Sequence, residues 1–251
     1  MAFNDLGTIN FLKGSLSLIW VIIAVIIGVR IMIKAITLKR KDLVAVGLTW
    51  ILISSAWWGV TVQFITLGFF DFKISDAQYL ALGNLALPFA AIFWIYAFVI
   101  IMDFKKGYIF LIAYIIFNAI WLIITINGLA TDNISLIGTV EEEGFDSTHS
   151  SLSEIFVYTV IIIFLITGII FSVKSIRTGD PEIKLKGYFL LVAWILFTLG
   201  GLLDSGLENP TPVSLIIVRL ILIVSAICYY LGWFLPKVIS NKLKSKNTID
   251  S

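Results

Sequence analysis

The chain has 251 residues, 59% of them hydrophobic and only 14% charged, and its mean hydropathy is +1.02. A soluble domain carries about 25% charged residues, and no globular core of this size hides so much apolar side chain from water, so most of the chain has lipid as its solvent. One cysteine (Cys228) and one histidine (His149) exclude a disulfide framework and a haem or zinc centre built from several His and Cys; the net charge of +2 informs only through its distribution.

A bilayer core needs about 20 apolar residues per helix. Seven such runs follow one another, at roughly 16–36, 43–68, 78–102, 107–127, 155–175, 186–207 and 213–235. None keeps the apolar/polar alternation of a barrel strand. The expected fold class is therefore all-α: one seven-helix membrane domain over residues 1–237, interrupted by an acidic loop at 128–154 and followed by a short basic tail at 238–251.

The first run lacks a small-residue cleavage site and meets "LKRKD" at once, which reads as an uncleaved signal anchor. Arg30, one turn from Lys34, is expected to snorkel to the interface. The second run carries Trp57, Trp58 and Gln63; the third carries Asn84, Pro88 and Trp94; the fourth carries Asn118. The loop holds Glu141, Glu142 and Glu143, read as a solvated charge run. It also holds "NIS" at Asn133, a glycosylation acceptor wherever the pathway glycosylates. The fifth run carries Tyr158 and Thr159, the sixth Asp204, the seventh Arg219. "CYYLGWFLPK" reads as an interfacial aromatic anchor with a proline stop, and Cys228 within it as an inert thiol.

Lysine and arginine set the orientation. With the N-terminus outside, fifteen of the 18 basic residues fall at or within one turn of the cytoplasmic face, and only Lys13, Lys73 and Arg219 lie on the other half. The acidic loop is then external, the C-terminus cytoplasmic, and the protein multi-pass in the cell membrane. Helices one and two also resemble helices five and six. "IIGVRIMIKAI" aligns with "ITGIIFSVKSI", matching Gly28 with Gly168 and Lys34 with Lys174; Gly47 and Gly187 keep that offset, whereas Trp50 and Trp194 need a four-residue shift. Chance matching in an alphabet of Ile, Leu, Trp and Gly accounts for as much.

Asp204 and Arg219 are equally far from the middle of the Pro-Thr-Pro turn, so at ~1.5 Å per residue both sit about 11 Å down antiparallel neighbours. Opposite charges at one depth form an ion pair that offsets the cost of burying either alone, with Glu208 available one turn above. Gln63, Asn84, Asn118, Thr159, Asp204 and Arg219 all lie toward the external ends of their helices, with Trp57, Trp58 and Tyr158 around them. Converging, they make an outward-opening cavity with aromatic walls and a few polar anchors, as small-ligand sites have. The plainer reading of the same residues is interhelical hydrogen-bond glue.

Enzyme chemistry finds no support. No intramembrane His cluster exists for a metal hydrolase, Asp204 has no second aspartate at its depth for aspartyl catalysis, and the seventh helix has no lysine for a retinal Schiff base. Arg219 stays protonated and cannot replace it. No catalytic residue, metal, cofactor or nucleic-acid partner is expected.

Three stretches resemble the seven-helix sensory input region found ahead of some prokaryotic histidine kinases: "KRKDLVAVGLTWILISSAWW", "LGNLALPFAAIFWIYAFVI" and "SIRTGDPEIKLKGYFLLVAWILFTLGGLLD". The pattern covers about residues 16–235. The resemblance implies sensing of a ligand or membrane state relayed to the cytoplasm. After Pro236 only "KVISNKLKSKNTIDS" remains, too short for a folded output domain. A receptor-like sensor would then signal through a separate cytoplasmic partner. The alternatives are a small secondary transporter with a three-plus-one-plus-three repeat, although no Pro-Gln pair is present, and a non-catalytic structural subunit.

Overall fold

A computed structural model describes residues 3, 6–206, 210–236 and 239. Glu208 and, apart from Ile239, the tail at 238–251 lie outside the described residues. Seven helical segments are long and apolar enough to cross a membrane. The first is α1 (Thr8–Thr37). It starts eight residues ahead of the apolar run because its polar first turns are packed: Lys13 is buried in an ion pair and Gly14 lies against Phe64.

The second and third spans are broken. The second consists of α2 (Lys41–Ile53), a 3-10 turn at Ser54–Trp57, and α3 (Trp58–Phe70). The third consists of α4 (Asp76–Asn84) and α5 (Leu87–Ile101). Pro88 explains the second break. It has no N–H to donate, and its ring crowds the carbonyl four residues back, which belongs to Asn84, the last residue of α4. Pro88 then occupies the first turn of α5, where a missing N–H costs nothing. Ser54 Oγ donates to Ile51 O at 2.7 Å, and Ser55 Oγ to Gly83 O at 3.4 Å, so a side-chain hydrogen bond links the two breaks.

The remaining spans are α6 (Gly107–Ala130), α7 (Ser151–Ile176), α8 (Pro181–Ser205) and α9 (Pro212–Trp233). The starts of α7, α8 and α9 are capped by side chains, Ser150 accepting from Ser153 N in the first case. Asp180 accepts from Glu182 N at 2.7 Å, Thr211 and Ser214 form a capping box, and Pro181 and Pro212 open their helices. The helices close a ring in which α1 packs on α2 and α9, α2 on α5, α5 on α7, α7 on α8, and α8 on α9. Helix α6 lies outside the ring, mainly against α5, and leaves Ile112, Ile116, Ile120 and Ile123 exposed on its outer face. In lipid such a face needs no cover.

Large aromatics fill the middle of the ring. Trp20, Trp50, Trp94, Trp194 and Tyr229 are all fully buried. Trp50 stacks on Tyr229 at 3.9 Å, and Trp94 meets Trp194 at 4.4 Å. Small residues set the approach of the backbones: a Cβ on Gly28 would lie 2.7 Å from Gly47 O, and one on Gly168 would lie 2.4 Å from Trp194 Cγ. The glycines of the apparent repeat therefore play different parts. Gly28 faces Gly47, whereas Gly168 faces a tryptophan and Gly187 faces Ser172 O and Ile176.

The 128–154 segment is ordered. A 3-10 turn (Ile134–Leu136) leads into an antiparallel hairpin of β1 (Gly138–Val140) and β2 (Ser147–His149), with Gly138 opposite His149. Its acidic residues do more than meet water. Lys13 Nζ lies 2.6 Å from Asp146 and 3.7 Å from Glu141, Asn10 donates to Glu143, and Lys73 Nζ donates to Glu142 O at 2.6 Å. Glu141, Glu142 and Glu143 all stay exposed, as a solvated run would, while the contacts of Glu141 with Lys13, of Glu143 with Asn10 and of the Glu142 carbonyl with Lys73 also tie the hairpin to the bundle.

Candidate functional site

The start of α1 and the hairpin lie at one end of the bundle, the two breaks lie farther in, within their spans, and between them is a cavity of about 630 Å³. Each wall has a local origin. The 3-10 turn sets Trp57 inward at 6% exposure. The proline break ends α4 so that Tyr79 and Asn84 face the same space. Helix α7 adds Glu154 and Tyr158, four residues apart and so on one helical face. The hairpin adds Glu141, Phe145, Asp146 and His149, and the paired ends of α8 and α9 add Asp204 and Arg219.

Asp204 is held by two donors. Arg219 Nη1 lies 2.8 Å from its Oδ1, and the Trp57 indole N–H donates to Oδ2 at 2.6 Å. Arg219 also donates from Nη2 to Ser17 Oγ at 3.1 Å and lies 5.6 Å from the Trp57 ring centre. Four helices thus meet at one carboxylate and one guanidinium. The ion pair is close but bent: Nη1, like Nε, has no acceptor in line with its N–H, and both atoms are sealed from solvent. The guanidinium is spent within the protein.

Phe164 and Phe197 belong to both the cavity wall and the aromatic layer. Phe164 lies 5.8 Å from Trp194, and Phe197 lies 5.7 Å from Trp50. The cavity therefore has a closed aromatic floor and a charged, partly β-structured opposite end. At that end His149 keeps accessible surface, with Nδ1 3.0 Å from Ser153 Oγ. The protein around it withdraws enough water to push its pKa below the usual value, although Glu154 and Asp146 pull the other way. Among the described residues no three His, Cys, Asp or Glu side chains form a metal-binding group.

Of the residues singled out in the sequence, Trp57, Asn84, Tyr158, Asp204 and Arg219 line this cavity. Gln63, Asn118, Thr159 and Trp58 do not. Gln63 is fully buried, accepts from Ile74 N at 3.1 Å and props the hairpin tip at Gly144, whose positive φ of 74° suits glycine. Asn118 is fully buried and donates to Tyr114 O at 2.7 Å within α6. Thr159 donates to Ile155 O, and Trp58 sits on a separate apolar groove with Leu82 and Leu85. Lys13, Tyr79, Asp146, His149 and Glu154 were not singled out. The one available signal was Lys13 and the acidic loop sharing an end of the bundle with opposite charge. The chain matches no family model, no curated protein and no solved structure.

Proposed function

We propose that the protein is a receptor-like membrane sensor that binds a small molecule in this cavity from outside the cell and relays its presence to a separate cytoplasmic partner. The observation that carries the reading is a roomy, polar-and-aromatic cavity reaching one end of the bundle above a closed aromatic floor. Its size is that of a small-molecule pocket. Placing the hairpin end outside rests on the basic residues gathered at the opposite end. A ligand in the cavity lies beside Asp204, the more exposed member of the pair with Arg219, so it biases how α8 and α9 sit against α1, provided it prefers one arrangement.

The two broken spans favour a second reading, a small secondary transporter, since such breaks recur in transporters. Against it, α7, α8 and α9 carry no matching interruption. The test is a thermal-shift screen of detergent-purified protein against metabolites, with Asp204→Asn and Arg219→Met beside the wild type, followed by uptake of any hit into proteoliposomes. A stabilising compound that is not taken up supports the sensor. Uptake saturating with concentration would transfer the case to the transporter, and a screen in which nothing stabilises folded wild type would remove both.

A further inference from the structure

Taking the cavity as the binding site just proposed, we infer that its ligand is an organic cation: an ammonium group on an apolar or aromatic body, with the charge beside Glu154 and Tyr158 and the body against Phe164 and Phe197.

The argument is one of charge and access. Four carboxylates border the cavity (Glu141, Asp146, Glu154 and Asp204) against two cationic side chains, Lys13 and Arg219, and the imidazole of His149. Arg219 is matched by Asp204 at 2.8 Å, and its Nε and Nη1 are inaccessible, so no ligand anion reaches them without breaking that pair. Lys13 is 8% exposed and already shared between Asp146 and Glu141. Both positive charges are therefore used, while two formal negative charges remain unmatched. Glu154 is the carboxylate of the four with neither ion pair nor hydrogen bond from another described side chain; its charged-type neighbour is the His149 imidazole, whose pKa lies below the usual value. Tyr158, one turn along, presents an aromatic ring on the same face, and a cation beside a carboxylate and over a ring gains from both. Deeper in, Asn84 is 7% exposed and donates one of its two amide N–H groups to Leu80 O at 2.9 Å, which leaves a carbonyl oxygen, one N–H and no charge for the ligand. The floor is aromatic and apolar. An amphipathic cation matches this gradient in both directions. A carboxylate or phosphate ligand would face the unmatched negative charge with neutral donors such as Asn84 and Tyr158 but no unpaired cation to offset it.

Gly201 provides a control for the site itself. It lines the cavity, and a Cβ there meets nothing within 4 Å. Gly201→Phe fills the space, and on α8 it replaces a poor helix former. The experiment titrates wild type, Glu154→Gln and Gly201→Phe with phenethylammonium, 2-phenylethanol and 3-phenylpropanoate in the same detergent, reading tryptophan fluorescence, since Trp57 borders the cavity. The expected result is saturable binding of phenethylammonium, about tenfold tighter than the alcohol, weakened about threefold by Glu154→Gln and abolished by Gly201→Phe. If the alcohol or the carboxylate binds as tightly and Gly201→Phe blocks it, the cavity stands as a site but the cation is overturned. If no probe saturates, or Gly201→Phe changes nothing, the cation and the cavity reading fall together.

Discussion

At Asp204 the two oxygens have different partners, a guanidinium and an indole N–H, and the two single substitutions are not equivalent. Arg219→Met leaves a carboxylate inside the bundle with only Trp57 to hold it, and is expected to lower stability by about 3–5 kcal/mol, the usual cost of removing one partner of a buried pair. Adding Asp204→Asn to Arg219→Met should recover part of that loss, because the remaining site is neutral; a double-mutant cycle in detergent checks it. His149 makes a second prediction at this scale. Its folded pKa lies below the ordinary value, so the unfolded chain takes up the proton first on acidification. The stabilising contribution of neutral His149 is whole above about pH 6.5 and is lost as the pH falls toward its folded pKa. Wild type should lose more thermal stability between pH 7.5 and 5.5 than His149→Gln does, and equal losses would show that the surrounding carboxylates dominate. The Asp204–Arg219 pair was legible from sequence because depth can be counted from a turn. Which way a side chain points around its helix cannot be counted, and that is why Asn118, at a plausible depth, is buried against its own helix at Tyr114 O instead of lining the cavity.

Helices α1 and α2 meet at a pair of glycines. Gly28→Leu would place its side chain into Gly47 O and Ile51, with no flexible neighbour to yield on the backbone side. Overpacking of this kind costs about 1–3 kcal/mol, and an early melt by fluorescence size-exclusion is the expected readout. The second and third spans were recognised as spans, yet only one of their breaks has an evident cause in sequence, Pro88. The other depends on serines that turn inward against α4, a tertiary matter. The hairpin was the least legible element. Its strands are three residues each, too short for alternation to register, and its shape comes from Lys13, Lys73 and Gln63, all far away in sequence. Asp146 and His149 escaped notice for that reason, since their place is fixed by where the loop lands; Lys13, Tyr79 and Glu154 lie on helices, whose rotation about their axes the sequence does not count.

For the whole molecule the charge distribution predicts that the hairpin end faces out. Two single-cysteine proteins in a Cys228→Ser background test this: Ser135→Cys near the hairpin and Lys105→Cys at the opposite end. In intact cells a membrane-impermeant maleimide should label Ser135→Cys alone, and labelling of Lys105→Cys alone would invert the protein and put the cavity on the cytoplasmic side. Orientation also bears on manufacture. A lone arginine about 11 Å into a helix makes α9 a poor candidate for entering lipid unaided, since a central arginine costs roughly 2.5–3.5 kcal/mol at the insertion machinery. Among the described residues its neutralising charge is Asp204 on α8, across a short connection, whereas Ser17 and Trp57 belong to segments synthesised long before. Helices α8 and α9 are thus suited to leave the translocation channel together as a hairpin, with the charge already cancelled, and to dock afterwards on the part of the ring that preceded them.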